Sequence, residues 1–283
     1  MQLVRYEDVH AFAARVEPFM VRREADHNLA LGLLTELRRF PQGYPGPNYY
    51  ATVEQAGEVL LVALRTPPHP LNLSHAIDPT AVELVAHDLV GRTFAPTHVT
   101  GPSETSLAFA ETWRSLTEQA YRREVALRIY RLERVRAPAG VPGSMRRATW
   151  DDLELLAAWI EGFMQDAHGE GDAALARRNA ERWLSSPVRA MYLWEDGRPV
   201  AMTGVGGPTP NGARVGAVYT PPAHRRRGYA SALVAAASQA TLDSGRSFVF
   251  LFTDLANPTS NHIYQQIGFE PVCDVDEYAL GPH

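Results

Sequence analysis

The chain has 283 residues, 45% hydrophobic and 21% charged, with a formal net charge of −5. That is the composition of a globular protein with room for one large or two ordinary domains, and the negative balance argues against a broad nucleic-acid surface. One cysteine, Cys273, excludes an internal disulfide or a cysteine-based metal cluster; with no membrane-length apolar run and no signal-peptide pattern at the start, a cytoplasmic protein that does not engage membranes is expected.

The first half opens with Arg5, Tyr6, Glu7 and Asp8 and leads to Val16-Glu17-Pro18-Phe19-Met20, and a helical stretch is expected over Glu24–Arg39. Two strands, Tyr49–Glu54 and Val59–Arg65, flank a turn at Gly57. Pro67-Pro68-His69-Pro70 reads as a turn and not as a metal site. Asp78-Pro79-Thr80 precedes a helix; Gly91-Arg92-Thr93-Phe94 and Thr105-Ser106 come later. Ala137–Gly143, rich in Pro and Gly, is the expected linker.

Past this break the pattern starts again. Arg147–Asp151 leads to Ile160-Glu161-Gly162-Phe163-Met164, a helix is expected over Ala173–Ser185, and strands Met191–Glu195 and Val200–Val205 flank Gly197. Gly91-Arg92-Thr93-Phe94 recurs as Gly245-Arg246-Ser247-Phe248, and Thr105-Ser106 as Thr259-Ser260, both at an offset of 154. Short matches in the same order point to a duplication. Each copy reads strand, two helices, antiparallel strands, helix, strand, helix, strand: an α/β fold with a mixed, mostly antiparallel sheet flanked by helices.

The copies differ where chemistry is expected. Gly57 to Gly91 spans 34 positions and Gly197 to Gly245 spans 48, so the second copy is 14 longer there. In that region it has an apolar strand, Ala213–Tyr219, then Pro221-Pro222, then His224-Arg225-Arg226-Arg227-Gly228-Tyr229-Ala230, then a helix of small residues, Ser231–Ser244. A strand, a basic Gly-containing loop and a helix start aim free backbone N–H groups and a positive helix end at an anion. The unliganded alternative is a solvated basic turn. Next comes a buried strand, Phe248–Thr253, and then Asn257 as N-cap with Pro258 at the first helical position. Ile263 and Ile267 share one helix face, Gly268 ends the helix, and Pro271–Val275 is a last strand-like run.

Arg225-x-x-Gly228-x-Ala230, followed by Asn257…Ser260-Asn261-x-Ile263-Tyr264-x-x-Ile267-Gly268-Phe269, resembles the GNAT superfamily of acyl-CoA-dependent N-acyltransferases. The wording around Val218–Pro222 and Gly228–Ser231 is similar to members described as glycine N-acyltransferase-like or as predicted acetyltransferases. The resemblance implies a catalytic domain at 145–283, a linker at 137–144 and a degenerate GNAT-like domain at 1–136 that lacks the anion loop. By the 154 offset, Ala110 stands where the second copy has Tyr264.

The resemblance also implies acetyl-CoA as co-substrate, with no metal, and transfer to a small amine, an amino acid or a peptide amine. Ala217, Val218 and Tyr219 would face the pantetheine arm. Arg225, Arg227, Gly228, Tyr229, Ala230 and Ser231 would hold the pyrophosphate, and Asn257 would hold the arm or cap its helix. Tyr264 would donate to the departing thiolate or position the sulfur, and a backbone N–H near Val218 would meet the oxyanion. The base is open: the strand Arg214–Tyr219 carries no carboxylate, so the candidates are His168 and Asp166, with Glu170, Asp254 or a water relay beside them. A longer acyl-CoA and a non-catalytic acyl-CoA sensor are the alternatives, as monomer or homodimer. No lysine occurs anywhere, so lysine autoacetylation is excluded.

Overall fold

Two runs of elements in the same order make up the chain. The first is β1 (Gln2–Arg5), α1 (Val9–Met20), α2 (Asn28–Arg39), β2 (Tyr49–Gln55), β3 (Glu58–Arg65), β4 (Leu71–Leu73), α3 (Ala81–Leu89), β5 (His98–Pro102), α4 (Ser103–Thr117) and β6 (Tyr121–Leu132). The second is β7 (Ser144–Arg147), α5 (Leu153–His168), α6 (Ala173–Ser185), β8 (Ala190–Glu195), β9 (Pro199–Gly206), β10 (Gly212–Tyr219), α7 (Tyr229–Asp243), β11 (Phe248–Asp254), α8 (Pro258–Ile267) and β12 (Glu270–Leu280). The duplication read from short sequence matches is thus an element-for-element repeat. This computed structural model describes residues 1–41, 43, 44, 46–92 and 94–281, without the His168 side chain; Thr93, part of one repeat match, lies outside the described residues. Among them no helix is long and apolar enough to cross a membrane.

Pairing repeats as well. In the first run β1, β2, β3 and β4 are antiparallel neighbours and β4 lies parallel to β5. In the second, β7, β8, β9 and β10 are antiparallel neighbours and β10 lies parallel to β11. The chain forms two compact units. One takes Met1–Ile129, Thr253–Asn257 and the segment from Pro271 on; the other takes Tyr130–Phe252 and Pro258–Glu270. Within the first unit β12 pairs antiparallel with β5, Thr100 facing Glu277, so this sheet is completed by the end of the chain. The segment expected as a linker lies in the second unit, where Trp194 Nε1–H donates to Pro142 O (2.8 Å).

Local chemistry explains the helix starts. Asp8 caps α1 through Ala11 N–H (2.8 Å) and Asp172 caps α6 through Leu175 N–H (2.9 Å). Before α5, Thr149 and Asp152 form a capping box, and Arg146 donates to both Asp152 oxygens (2.6 and 2.7 Å). Three boundaries differ from expectation by two residues or more. α2 starts at Asn28, not Glu24; α7 starts at Tyr229, two residues early, because Gly228 serves as its N-cap; and β12 runs on to Leu280. The first unit packs one core on each sheet face, around Phe109 and Trp113 and around Phe12 and Leu34. In the second, Val234 of α7 packs on Val215, Val249 and Leu251 of the sheet, while Leu156 and Ile160 of α5 and Ala176 and Ala180 of α6 share a core with Leu193 and Met202.

Candidate active site

The site begins with a strand pair that stops pairing. β10 and β11 are in register over Gly212↔Phe248, Ala213↔Val249 and Arg214↔Phe250 and no further, so beyond Arg214 the two strands of the second unit diverge. On its other edge β10 pairs with β9 at Gly216↔Gly204 and next at Tyr219↔Met202, so two residues, Ala217 and Val218, lie opposite one, Thr203. That is a β-bulge, and Ala217 within it has φ of 50°. A non-glycine residue at left-handed φ is a strained backbone that the surrounding sheet must hold. Of the residues expected along the pantetheine arm, Ala217 and Val218 therefore leave the regular ladder, and Tyr219 rejoins it opposite Met202. Nothing in Gly216-Ala217-Val218 marks the bulge, since these residues are compatible with an ordinary strand.

The loop after β10 is built as a cradle. Gly228 has φ of 80° and caps α7 without a side-chain hydrogen bond; a Cβ there would meet Val141 Cγ2 at 3.0 Å. The first bond inside α7 runs from Ala232 N–H to Gly228 O (2.9 Å), so the N–H groups of Tyr229, Ala230 and Ser231 have no partner within the helix. These are donors of the kind a pyrophosphate needs. The Tyr229 side chain does not join them. It is buried in the core and donates to Asp196 Oδ2 (2.5 Å), a carboxylate that raises its pKa. Arg226 (φ 65°) and Arg227 are exposed.

The same stretch of the first unit is closed. After β4, Ser74 N–H donates to Val62 O, His75 N–H to His27 Nε2, Ala76 N–H to Thr105 Oγ1, Ile77 N–H to Leu60 O and Thr80 N–H to Asp78 Oδ1. Little donor capacity remains for an anion. Nor does β4 leave β5 before its end: Leu73 O lies 2.8 Å from where a Cβ of Gly101 would sit, a closeness that only glycine allows.

Tyr264, on α8, is half-buried, with its ring edge-on to Phe269 at 6.0 Å. It borders the core of Val215, Val249 and Leu251, as does Val218 of the bulge. Burial pushes its hydroxyl pKa up to about 12, so it is a proton donor at neutral pH. Asn257 is exposed just before α8, its N–H on Asp254 O (3.0 Å), and Ala256 N–H binds Asp254 Oδ1 (2.7 Å): Asp254 shapes the turn. Asp166 on α5 accepts from Arg225 Nη2 (2.5 Å), a pair 59 positions apart that sequence reading did not find. His168 ends α5, and its side chain lies outside the described residues. Glu170 is exposed. Cys273 is half-buried, and burial raises its thiol pKa to about 12, the opposite of an activated nucleophile.

Gly162 is a further positioning residue. A Cβ on it would lie 2.5 Å from Tyr219 Oη, so the phenol at the end of β10 rests directly on α5, with Trp159 6.4 Å away between ring centroids. A glycine inside an otherwise strong helix was the available signal.

Comparison with known proteins agrees with this architecture. Residues 150–269 match the acetyltransferase (GNAT) family. No curated protein matches the sequence. Among solved structures, a Drosophila protein aligns at TM-score 0.70 and 13% identity over 99% of this chain and 98% of its own. A GNAT-family acetyltransferase from Colwellia psychrerythraea aligns at 0.59 and 9% over the whole of both chains. A tandem GNAT protein from the clavulanic acid biosynthesis pathway aligns at 0.58 and 16% over 100% of this chain and 99% of its own. At such identities the structures speak to the fold, and the fold shared along the full length is the tandem one. Residues 150–269 accordingly form an acetyltransferase domain of the GNAT family, whose chemistry is acyl transfer from acyl-CoA.

Proposed function

We propose that the chain is an N-acetyltransferase that passes an acetyl group from acetyl-CoA to a primary amine by direct attack in a ternary complex. The acceptor class is a small molecule, an amino acid or a peptide. The observation that carries this reading is the combination, in one unit, of a diverging β10–β11 pair with the three unpartnered N–H groups at the start of α7.

In this reading the N–H groups of Tyr229, Ala230 and Ser231 bind the pyrophosphate, aided by Arg227, and Gly228 keeps the approach open. The bulge backbone at Ala217–Tyr219 pairs with the pantetheine arm, and the Val218 N–H stabilises the charge that develops on the carbonyl oxygen. Tyr264 gives its proton to the departing thiolate. His168 is our candidate for the acceptor's proton, directly or through water, imidazole being the side chain type that ordinarily changes charge near neutrality. The first copy, 1–136, has neither cradle nor phenol, and we assign it a structural or acceptor-shaping role.

Titration calorimetry with acetyl-CoA, CoA and a longer acyl-CoA tests the reading. The intact protein should bind, and Arg227→Ala and Gly228→Pro should weaken binding at least tenfold, since proline cannot adopt the Gly228 φ. An amine screen for turnover then follows. Failure of the intact protein to bind any of the three would overturn the assignment, and binding without turnover of any amine would leave a sensor.

A further inference from the structure

Arg225 belongs to the cradle loop, and its guanidinium is already engaged. Nε–H donates to Thr220 O (2.9 Å), Nη2–H donates to Asp166 Oδ2 (2.5 Å), and Cζ stands 5.8 Å from the centroid of the Tyr219 ring. The first bond closes the loop on itself, and the second ties it to α5. The ring beneath is the phenol seated on Gly162. Asp166 Oδ2 is thus already occupied by a guanidinium N–H, and turning it toward another group would break that bond. The charge of Arg225 is likewise largely neutralised by Asp166, so it adds little attraction for a phosphate.

We infer that Asp166 is a positioning residue: through Arg225 it fixes the cradle loop against α5, and it does not take the acceptor's proton. For its kinetic consequences this inference rests on the acyltransferase reading above; for the order of the loop it does not. Both side chains are about half exposed (43% and 49%), so the pair should matter little to global stability. Its effect belongs in the loop, where His224 N–H to Pro221 O (2.8 Å) and Arg225 N–H to Pro222 O (3.4 Å) add only short-range closure.

Three variants, Asp166→Ala, Asp166→Asn and Arg225→Ala, separate the roles. Hydrogen exchange on the ligand-free protein should show residues 220–230 exchanging faster in the two alanine variants. Asp166→Asn keeps an acceptor oxygen and should stay close to the parent. In steady-state turnover the alanine variants should raise KM for acetyl-CoA roughly 3- to 10-fold, the size of one ordinary hydrogen bond, as befits a half-exposed pair. kcat should stay within about twofold and its pH profile should not move, and the double variant should be no worse than either single one. Unchanged exchange in both alanine variants would overturn the inference. So would a fall in kcat of about 10² or more in Asp166→Asn with loss of a pH limb, which is the mark of a base. If the exchange pattern holds but the parent turns over no amine, the brace stands and the acyltransferase reading falls.

Discussion

A phenol whose pKa is pushed up to about 12 keeps its proton across the physiological range, so Tyr264 can donate there and cannot accept. Tyr264→Phe should lower kcat by about 10²–10⁴, the usual contribution of a general acid, with KM for acetyl-CoA little changed. The donor is lost only as pH rises toward 12, so no alkaline limb from this residue should appear between pH 7 and 10. His27 makes the opposite kind of statement, about stability. It is buried; its Nδ1 faces Met20 O (3.0 Å) and its Nε2 accepts His75 N–H (3.1 Å), which fixes the neutral tautomer with the proton on Nδ1. Burial lowers its pKa below the ordinary 6.5. The folded state therefore binds fewer protons than the unfolded chain, and the stabilisation is complete above pH 6.5 and drains away as pH falls below it. The loss is at most about 1.4 kcal/mol per pH unit. Urea unfolding at pH 7, 6 and 5 should show this, and His27→Gln should flatten the trend.

At the scale of elements, what could be read from the sequence follows from how local its causes are. The cradle was legible because a glycine, a helix start and a run of arginines are contiguous. The order of elements was legible because each carries its own periodicity. The bulge at Ala217 was not, because its cause lies in the register with β9. The far end of β12 was hidden by Asp274, Asp276 and Glu277, which break the apolar run. Yet Asp276 is buried, with Tyr278 Oη donating to it (3.4 Å) and Arg123 3.6 Å away. The Asp166–Arg225 pair was hidden by distance along the chain. Gly162 gives the test at this scale. Gly→Ala inside a helix ordinarily stabilises by up to about 1 kcal/mol, but here the new methyl would sit 2.5 Å from Tyr219 Oη, on a ring packed into the α5 core. Gly162→Ala should therefore destabilise, by about 1–3 kcal/mol as overpacked cores do, read as a lower urea midpoint.

Over the whole molecule, two copies of one element order carry one cradle. The loop N–H groups after β4 are used internally, and Leu73 and Gly101 keep β4 against β5, so among the described residues the first unit shows no counterpart of the second unit's cradle. Calorimetry should accordingly give a stoichiometry of one acetyl-CoA per chain; a value of two would show that the first copy is not worn at all. The strand that completes the first unit's sheet has a consequence for how the protein is made. β5 is synthesised early and its partner β12 near residue 280. Until that strand leaves the ribosome, the nascent N-terminal half holds an unpaired, aggregation-prone edge. The first unit thus matures after the second half has been translated, and a nonsense codon anywhere between Arg136 and Glu270 would release a first half unable to finish its own sheet.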